Sequence, residues 1–252
     1  MPFFETLDLG TLVLVAGIAY ATAVVHSVGG FAGGLLLTIG LAPVLGVKET
    51  IPVCSLAMVV SNVARVWVFW RWINWPAVVA IFTAALPGIV LGAILYISLP
   101  VHWVALVLGL FLIGSLVLRR RLARRNYKVG LGGLRLVAVP YGLLSGTVIG
   151  AGLMLGPFLL GAGLFGETLV ATVAAQGLAL NVTKSLVFGA SPLLGTEQIL
   201  KGLLIGLCTM PGALSGRWIV SHTPIRLHTR YLEAVILAGA VYFLWQAREV
   251  FA

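Results

Sequence analysis

Asn62 and Arg65 stand three residues apart in the stretch NVARVWVF (62–69), and Asn181 and Lys184 repeat that spacing in NVTKSLVF (181–188). On a helix, residues three apart share a face. Both stretches are otherwise apolar, and a cation near the centre of a bilayer costs at least ~2.5 kcal/mol. A cation placed twice at matched positions is expected to serve one purpose, a fixed positive charge for an anion. The carboxamides beside it can cap freed backbone groups or contact the anion's oxygens. The competing reading for Arg65 is that it snorkels to the membrane interface, which Trp67, Trp70, Trp72 and Trp75 would mark. Lys184 has no such aromatic cluster near it.

Two glycine-rich stretches could supply the rest of an anion site. HSVGGFAGG (26–34) carries Gly30, Gly33 and Gly34, and SGTVIGAG (145–152) carries Gly150 and Gly152. Glycine lets a helix break at membrane depth, where the break must be buried in protein or line a watery cavity. Half-helices meeting at such breaks aim free N–H groups and positive dipole ends at one point. Close helix packing of the small-xxx-small type, which Gly30 and Gly34 alone satisfy, is the alternative. His26, Ser27, Thr147, Gln176 and Thr183 could add hydrogen bonds, although a Ser or Thr in a membrane helix commonly bonds its own backbone. Glu49 and Glu167 occupy matched positions at predicted helix starts, where a carboxylate complements the dipole, or could bind coupling protons beside a path. His102, His222 and His228 read as loop or interface residues.

The elements that carry these groups follow from composition. Of 252 residues, 60% are hydrophobic and 9% charged, a balance that no soluble domain could cover with polar surface. Apolar runs of about 20 residues, the length that crosses a ~30 Å hydrocarbon core, recur along almost the whole chain, without the short alternating segments of a β-barrel. The net charge of +9 gathers in short loops beside spans, so nucleic acid is not an expected partner. The N-terminus MPFFETLDLG has no Lys or Arg and no small-residue cleavage site, and the first apolar segment is expected to stay in the membrane. Cys54 and Cys208 lie in apolar runs and read as buried free thiols. No metal or cofactor is expected.

The chain also matches itself. Ser27 through Thr50 aligns with Ser145 through Thr168 at a constant offset, placing Gly34-Leu35 on Gly152-Leu153 and Glu49-Thr50 on Glu167-Thr168. After one inserted residue Asn62-x-x-Arg65 falls on Asn181-x-x-Lys184; further on, Pro87-Gly88 with Gly92 falls on Pro211-Gly212 with Gly216, and Pro100 on Pro224. A collinear series of this kind indicates internal duplication. The expected organisation is a first membrane repeat (1–118), a basic linker (119–133) and a second membrane repeat (134–252). Each repeat should hold about five helical elements, the first two shorter: 9–28, 31–46, 50–70, 75–98 and 101–118, then 134–148, 151–165, 168–189, 197–220 and 229–248.

Loop charge orients the two copies. The loop at 119–135 holds six Arg and Lys128 and should face the cytoplasm. With inverted repeats, Arg65, Arg71 and the segment from Arg217 to Arg230 fall on the same side and the acidic N-terminus falls outside. Parallel repeats would send the 217–230 segment outward, against the positive-inside rule. Lys48 and Arg248 fall outside in the favoured count. The fold class predicted is therefore an all-α polytopic membrane protein of two inverted repeats with glycine-broken short helices.

HSVGGFAGG in the first span, Asn-x-x-Arg/Lys in the third element of each half and Pro-Gly-x-x-x-Gly in the fourth resemble the TauE/SafE family of sulfite and organosulfonate permeases. The resemblance runs over roughly residues 10–248. It implies a bacterial or archaeal inner-membrane carrier of sulfite, sulfoacetate or a related sulfur oxyanion. The chain departs from strict symmetry in two places: Gly33-Gly34 has only Ala151-Gly152 opposite it, and Lys184 puts a point charge where Arg65 has a bidentate guanidinium.

The function expected is a secondary transporter for a small sulfur-containing oxyanion, with membrane lipid around it and self-association left open. A carboxylate carrier is the alternative within the class, and a passive anion channel the alternative outside it. No Walker-type loop is present, which disfavours direct ATP hydrolysis, and no HExxH spacing or nucleophile–base pair supports an intramembrane enzyme.

Overall fold

Among the described residues, wherever the apolar pattern runs unbroken the chain is helical. The computed structural model describes residues 9–29, 33–100 and 128–220, with parts of 102–121 and 237–250. Its helices are α1 (Leu9–Gly29), α2 (Gly33–Leu45), α3 (Val47–Phe69), α4 (Trp75–Ser98), α5 (Leu131–Thr147), α6 (Gly152–Gly161), α7 (Gly166–Gly189) and α8 (Thr196–Val220). The described residues within 102–121 are helical as well, where a fifth element was expected, whereas most of 229–248 lies outside the described residues. Stops and starts follow local chemistry. Gly46 takes a left-handed φ of 80° to turn α2 into α3. Asn74 caps α4 by accepting from the Ala77 N–H at 3.0 Å, with Pro76 in the first turn.

Five helices, α1, α3, α4, α7 and α8, are long and apolar enough to cross a membrane, which makes the chain an all-α polytopic membrane protein. α2 has 13 residues and α6 has 10, about 20 and 15 Å of rise, well short of the ~30 Å core. The expectation that the first element of each half is also short is corrected for the first half: α1 has 21 residues and is long enough to cross. Only α5, at 17, is reduced.

Glycines decide which helices meet and in which direction they run. A Cβ on Gly88 would fall on the backbone of Gly142 and Leu143, and one on Gly92 would fall on Gly146 and Thr147. Contacts that advance together along both chains mean that α4 and α5 run parallel, backbone against backbone. On the other side Gly212 meets Tyr20, Ala23 and Val24, and Gly216 meets Val24 and Ser27, so α8 and α1 also run parallel. The Tyr20 hydroxyl adds a hydrogen bond to Ser215 Oγ at 3.1 Å. The first helix of each half is thus packed on the fourth helix of the other. Without a hydrophobic force between helices in lipid, such small-residue contacts are what holds them together.

α3 and α7 cross in the middle with the opposite sense. Gly177 lies against Asn62, and the earlier residue Val170 accepts from the later residue Arg65, so the two run antiparallel. α7 runs parallel to α4, with the Asn74 N–H donating to Thr172 Oγ1 at 3.1 Å and the Tyr96 and Phe188 rings 5.5 Å apart. α8 runs parallel to α3, with Gly202 on Val53 and Leu56 and Gly206 on Ala57 and Val60.

Charges at the helix ends have local partners. Lys48 Nζ donates to Tyr96 O and Ile97 O, each at 3.0 Å, and to Leu99 O, closing the C-terminus of α4, where a cation meets the negative end of the dipole. This accounts for a lysine that loop-charge counting places on the less favoured side. Glu49 and Glu167 stand in the first turns of α3 and α7. Glu49 also pairs with Lys201 on α8 at 2.7 Å, and Lys201 reaches Glu197 at 3.0 Å. Trp67, Trp70 and Trp75 are exposed on the outer surface, as residues of an aromatic belt would be.

Candidate anion-binding site

α5 ends because its backbone leaves helical geometry at Val148 (φ −131°, ψ 159°), and α6 begins three residues beyond Ile149 at Gly152. Gly150 bridges the break with φ +95°, and a Cβ there would stand 2.6 Å from Leu35 Cβ. Both the left-handed backbone and the approach of α2 require glycine at this position. Gly150→Ala is accordingly expected to cost about 1–3 kcal/mol, read as a lowered melting temperature of the detergent-solubilised protein. In the first half α1 ends at Gly29 and α2 starts at Gly33; Gly30 lies outside the described residues.

Between the two breaks is a cavity of about 60 Å³. Gly34 from the start of α2 and Gly150, Ala151 and Gly152 from the start of α6 line it. It therefore faces the positive ends of two short helices, whose first N–H groups have no acceptor within their own helix. His26, Asn62, Gln176, Asn181 and Lys184 complete the polar part of the lining. These eight of the sequence-nominated residues come together: His26, Gly34, Asn62, Gly150, Gly152, Gln176, Asn181 and Lys184.

Lys184 is fully buried. Its Nζ donates to Ser145 O at 2.9 Å and to Val148 O at 3.1 Å. Both are carbonyls that the break in α5 frees from helical bonding, so the lysine neutralises the negative end of one half-helix. An ammonium has three N–H groups, and two go to these carbonyls. Asn181 Nδ2 donates to Gly177 O at 2.7 Å. Gln176 is buried, and neither atom of its amide has a partner among the described residues.

Arg65 is fully buried too, which excludes the snorkelling reading. Its Nη1 donates to Asn62 Oδ1 at 3.2 Å and lies 2.5 Å from His26 Nε2, and its Nη2 donates to Val170 O at 3.5 Å. The Gly33 N–H donates to His26 Nδ1 at 3.1 Å. A neutral imidazole has a lone pair on one ring nitrogen only, so it cannot accept from Gly33 and Arg65 at once. The idea of two cations converging on one point is corrected here. Arg65 does not line the cavity but stands behind His26 and Asn62. With Asn62 opposite Gly177 in an antiparallel crossing, Lys184 falls opposite about residue 55 of α3, roughly 15 Å of helical rise from Arg65.

The other nominated residues that the structure describes also lie off the cavity. Ser27 is buried against Gly216, and its hydroxyl has no partner among the described residues. Thr147 Oγ1 donates to Leu144 O at 3.0 Å and Thr183 Oγ1 to Ala179 O at 2.9 Å, the self-bonding common for hydroxyls on membrane helices. Gly33 sits against His26. Gly177 was missed by sequence reasoning: a Cβ there would come within 3.0 Å of Asn62 Nδ2. The signal was its position four residues before Asn181, on the same helical face.

Among the described residues no group of three or more His, Cys, Asp or Glu could hold a metal ion. Neither the curated proteins nor the solved structures include a match to this chain. The family model described as "Sulfite exporter TauE/SafE" matches residues 14–243, nearly the whole length over which the glycine, Asn-x-x-Arg/Lys and Pro-Gly motifs are spread. The chain belongs to the TauE/SafE sulfite exporter family of membrane transporters.

Proposed function

We propose that this transporter carries a small sulfur-containing oxyanion, sulfite or an organosulfonate, through the cavity between α1, α2, α3, α5, α6 and α7. The observation that carries the reading is the meeting of Lys184 with the N-termini of two short helices, one from each half, around a space of about 60 Å³. A single water needs ~10–15 Å³ on this measure, so the space suits an anion of a few heavy atoms. An oxyanion leaving water must exchange its hydration for charge-assisted bonds, and N–H donors with one fixed cation supply them.

The two halves act as inverted repeats in this reading. Support comes from the opposed directions of α3 and α7, from parallel α1–α8 set against parallel α4–α5, and from the collinear motifs. Rocking of one half against the other would expose the cavity alternately to each side, as in other inverted-repeat carriers, with energy drawn from ion gradients. The setting is the bacterial or archaeal cytoplasmic membrane, with the basic linker 119–135 inside, in keeping with its positive charge.

Flux into proteoliposomes tests the substrate. Saturable sulfite transport that acetate and other small carboxylates do not inhibit is the expected result. Equal handling of carboxylates and sulfite removes the substrate assignment while leaving the site. A non-saturating conductance makes the protein a channel instead.

A further inference from the structure

Resting on that reading of the cavity as an anion site, we propose that its ligand is a monoanion that also bears a hydrogen-bond donor, and that Asn181 Oδ1 is the acceptor that selects it. A protonated sulfur oxyanion fits this description, as does a sulfonate carrying N–H or O–H next to the sulfur.

The orientation of the Asn181 amide is fixed by chemistry. Its nitrogen is 2.7 Å from Gly177 O, and a carbonyl oxygen can only accept. Turning the amide over would set oxygen against oxygen. Oδ1 is therefore an acceptor, buried and with no partner among the described residues, while the nitrogen keeps one further N–H. A ligand made only of acceptor oxygens could take that N–H but would leave Oδ1 unpaired. A donor on the ligand satisfies it.

Charge leads to the same class of ligand. Among the described residues Lys184 is the one Lys or Arg in the cavity lining. Arg65 is held behind the wall by Asn62 and Val170. Part of the Lys184 charge is already set against the negative end of α5, so a single negative charge is matched at the cavity while a second would rest on the helix dipoles alone. Gln176 can turn either end of its unpartnered amide to the ligand, so the discrimination falls to Asn181.

Sulfamate and methanesulfonate make the comparison. Both are singly charged, tetrahedral and similar in size, but the first presents NH₂ where the second presents CH₃. Inhibition of sulfite flux in proteoliposomes of the full chain is expected to be roughly tenfold stronger for sulfamate. Asn181→Leu should bring sulfamate down to the level of methanesulfonate, with a thermal melt confirming that the variant is folded. The wild-type comparison stands even where that variant does not fold. Equal inhibition by the two anions, stronger inhibition by methanesulfonate, or a preference that persists in Asn181→Leu overturns the proposal. Absence of sulfite flux in the wild type overturns the functional reading beneath it.

Discussion

Replacing Lys184 by Met should weaken sulfite transport by roughly 10- to 100-fold in apparent affinity. The estimate takes one lost hydrogen bond from a charged donor to the anion, about 1.5–3 kcal/mol, at ~1.4 kcal/mol per tenfold. Met keeps most of the volume, so the cavity wall persists. The substitution also leaves Ser145 O and Val148 O without the donor that now serves both, and a buried unpaired acceptor costs about 1–3 kcal/mol. Stability is therefore expected to fall together with transport. Lys184→Arg separates the two effects, because it retains the charge and can still donate to the carbonyls, although a planar fork cannot reproduce the geometry of a point charge. Partial recovery of flux in the Arg variant and none in the Met variant is the expected pattern. A Met variant that saturates at the wild-type sulfite concentration would show that the cation has no part in recognition. Arg65→Ala is expected to act less on affinity and more on the arrangement of His26 and Asn62, since Arg65 does not line the cavity.

The second large effect concerns the helix pairs. Gly92→Ala should destabilise the protein by about 3 kcal/mol, the upper part of the range for overpacking. The added methyl falls 2.9 Å from Gly146 Cα and 3.1 Å from Thr147 N, with Leu143 O closer still. These are backbone atoms, so relief requires α4 and α5 to separate along much of their contact. Gly17→Ala is the control, because nothing stands within 4 Å of a Cβ there; it is expected to be neutral or stabilising by up to ~1 kcal/mol through helix propensity. Melting temperatures in detergent measure both. Equal melting of the two variants would mean that the α4–α5 approach is looser than described.

How much of this the residues announced depends on range. α3, α4, α7 and α8 were legible to within a few residues, because a continuous apolar run bounded by Gly, Pro or Asn leaves few choices in a bilayer. Asn62, Asn181 and Lys184 were legible because three-residue spacing fixes a shared face. The distance between Arg65 and Lys184 was not, since local spacing says nothing of the register in which α3 crosses α7. Duplication suggested that matched cations meet. An antiparallel crossing instead sends them to opposite ends of the contact. The partners of Lys48 on α4 and of Glu49 on α8 were hidden for the same reason: each is far away in sequence and is found only when helices are placed side by side. Loop-charge counting treated Lys48 as free charge, although it is committed to helix-end carbonyls.

Because α1 finds its closest glycine-fitted neighbour in α8, and α4 finds its own in α5, neither half is complete when it leaves the ribosome. The face of α1 around Ala23 and Ser27 is covered by the last of the described long helices. Residues near 212–216 close over residues near 20–27. A chain stopped anywhere before α8 therefore leaves that seam on α1 open.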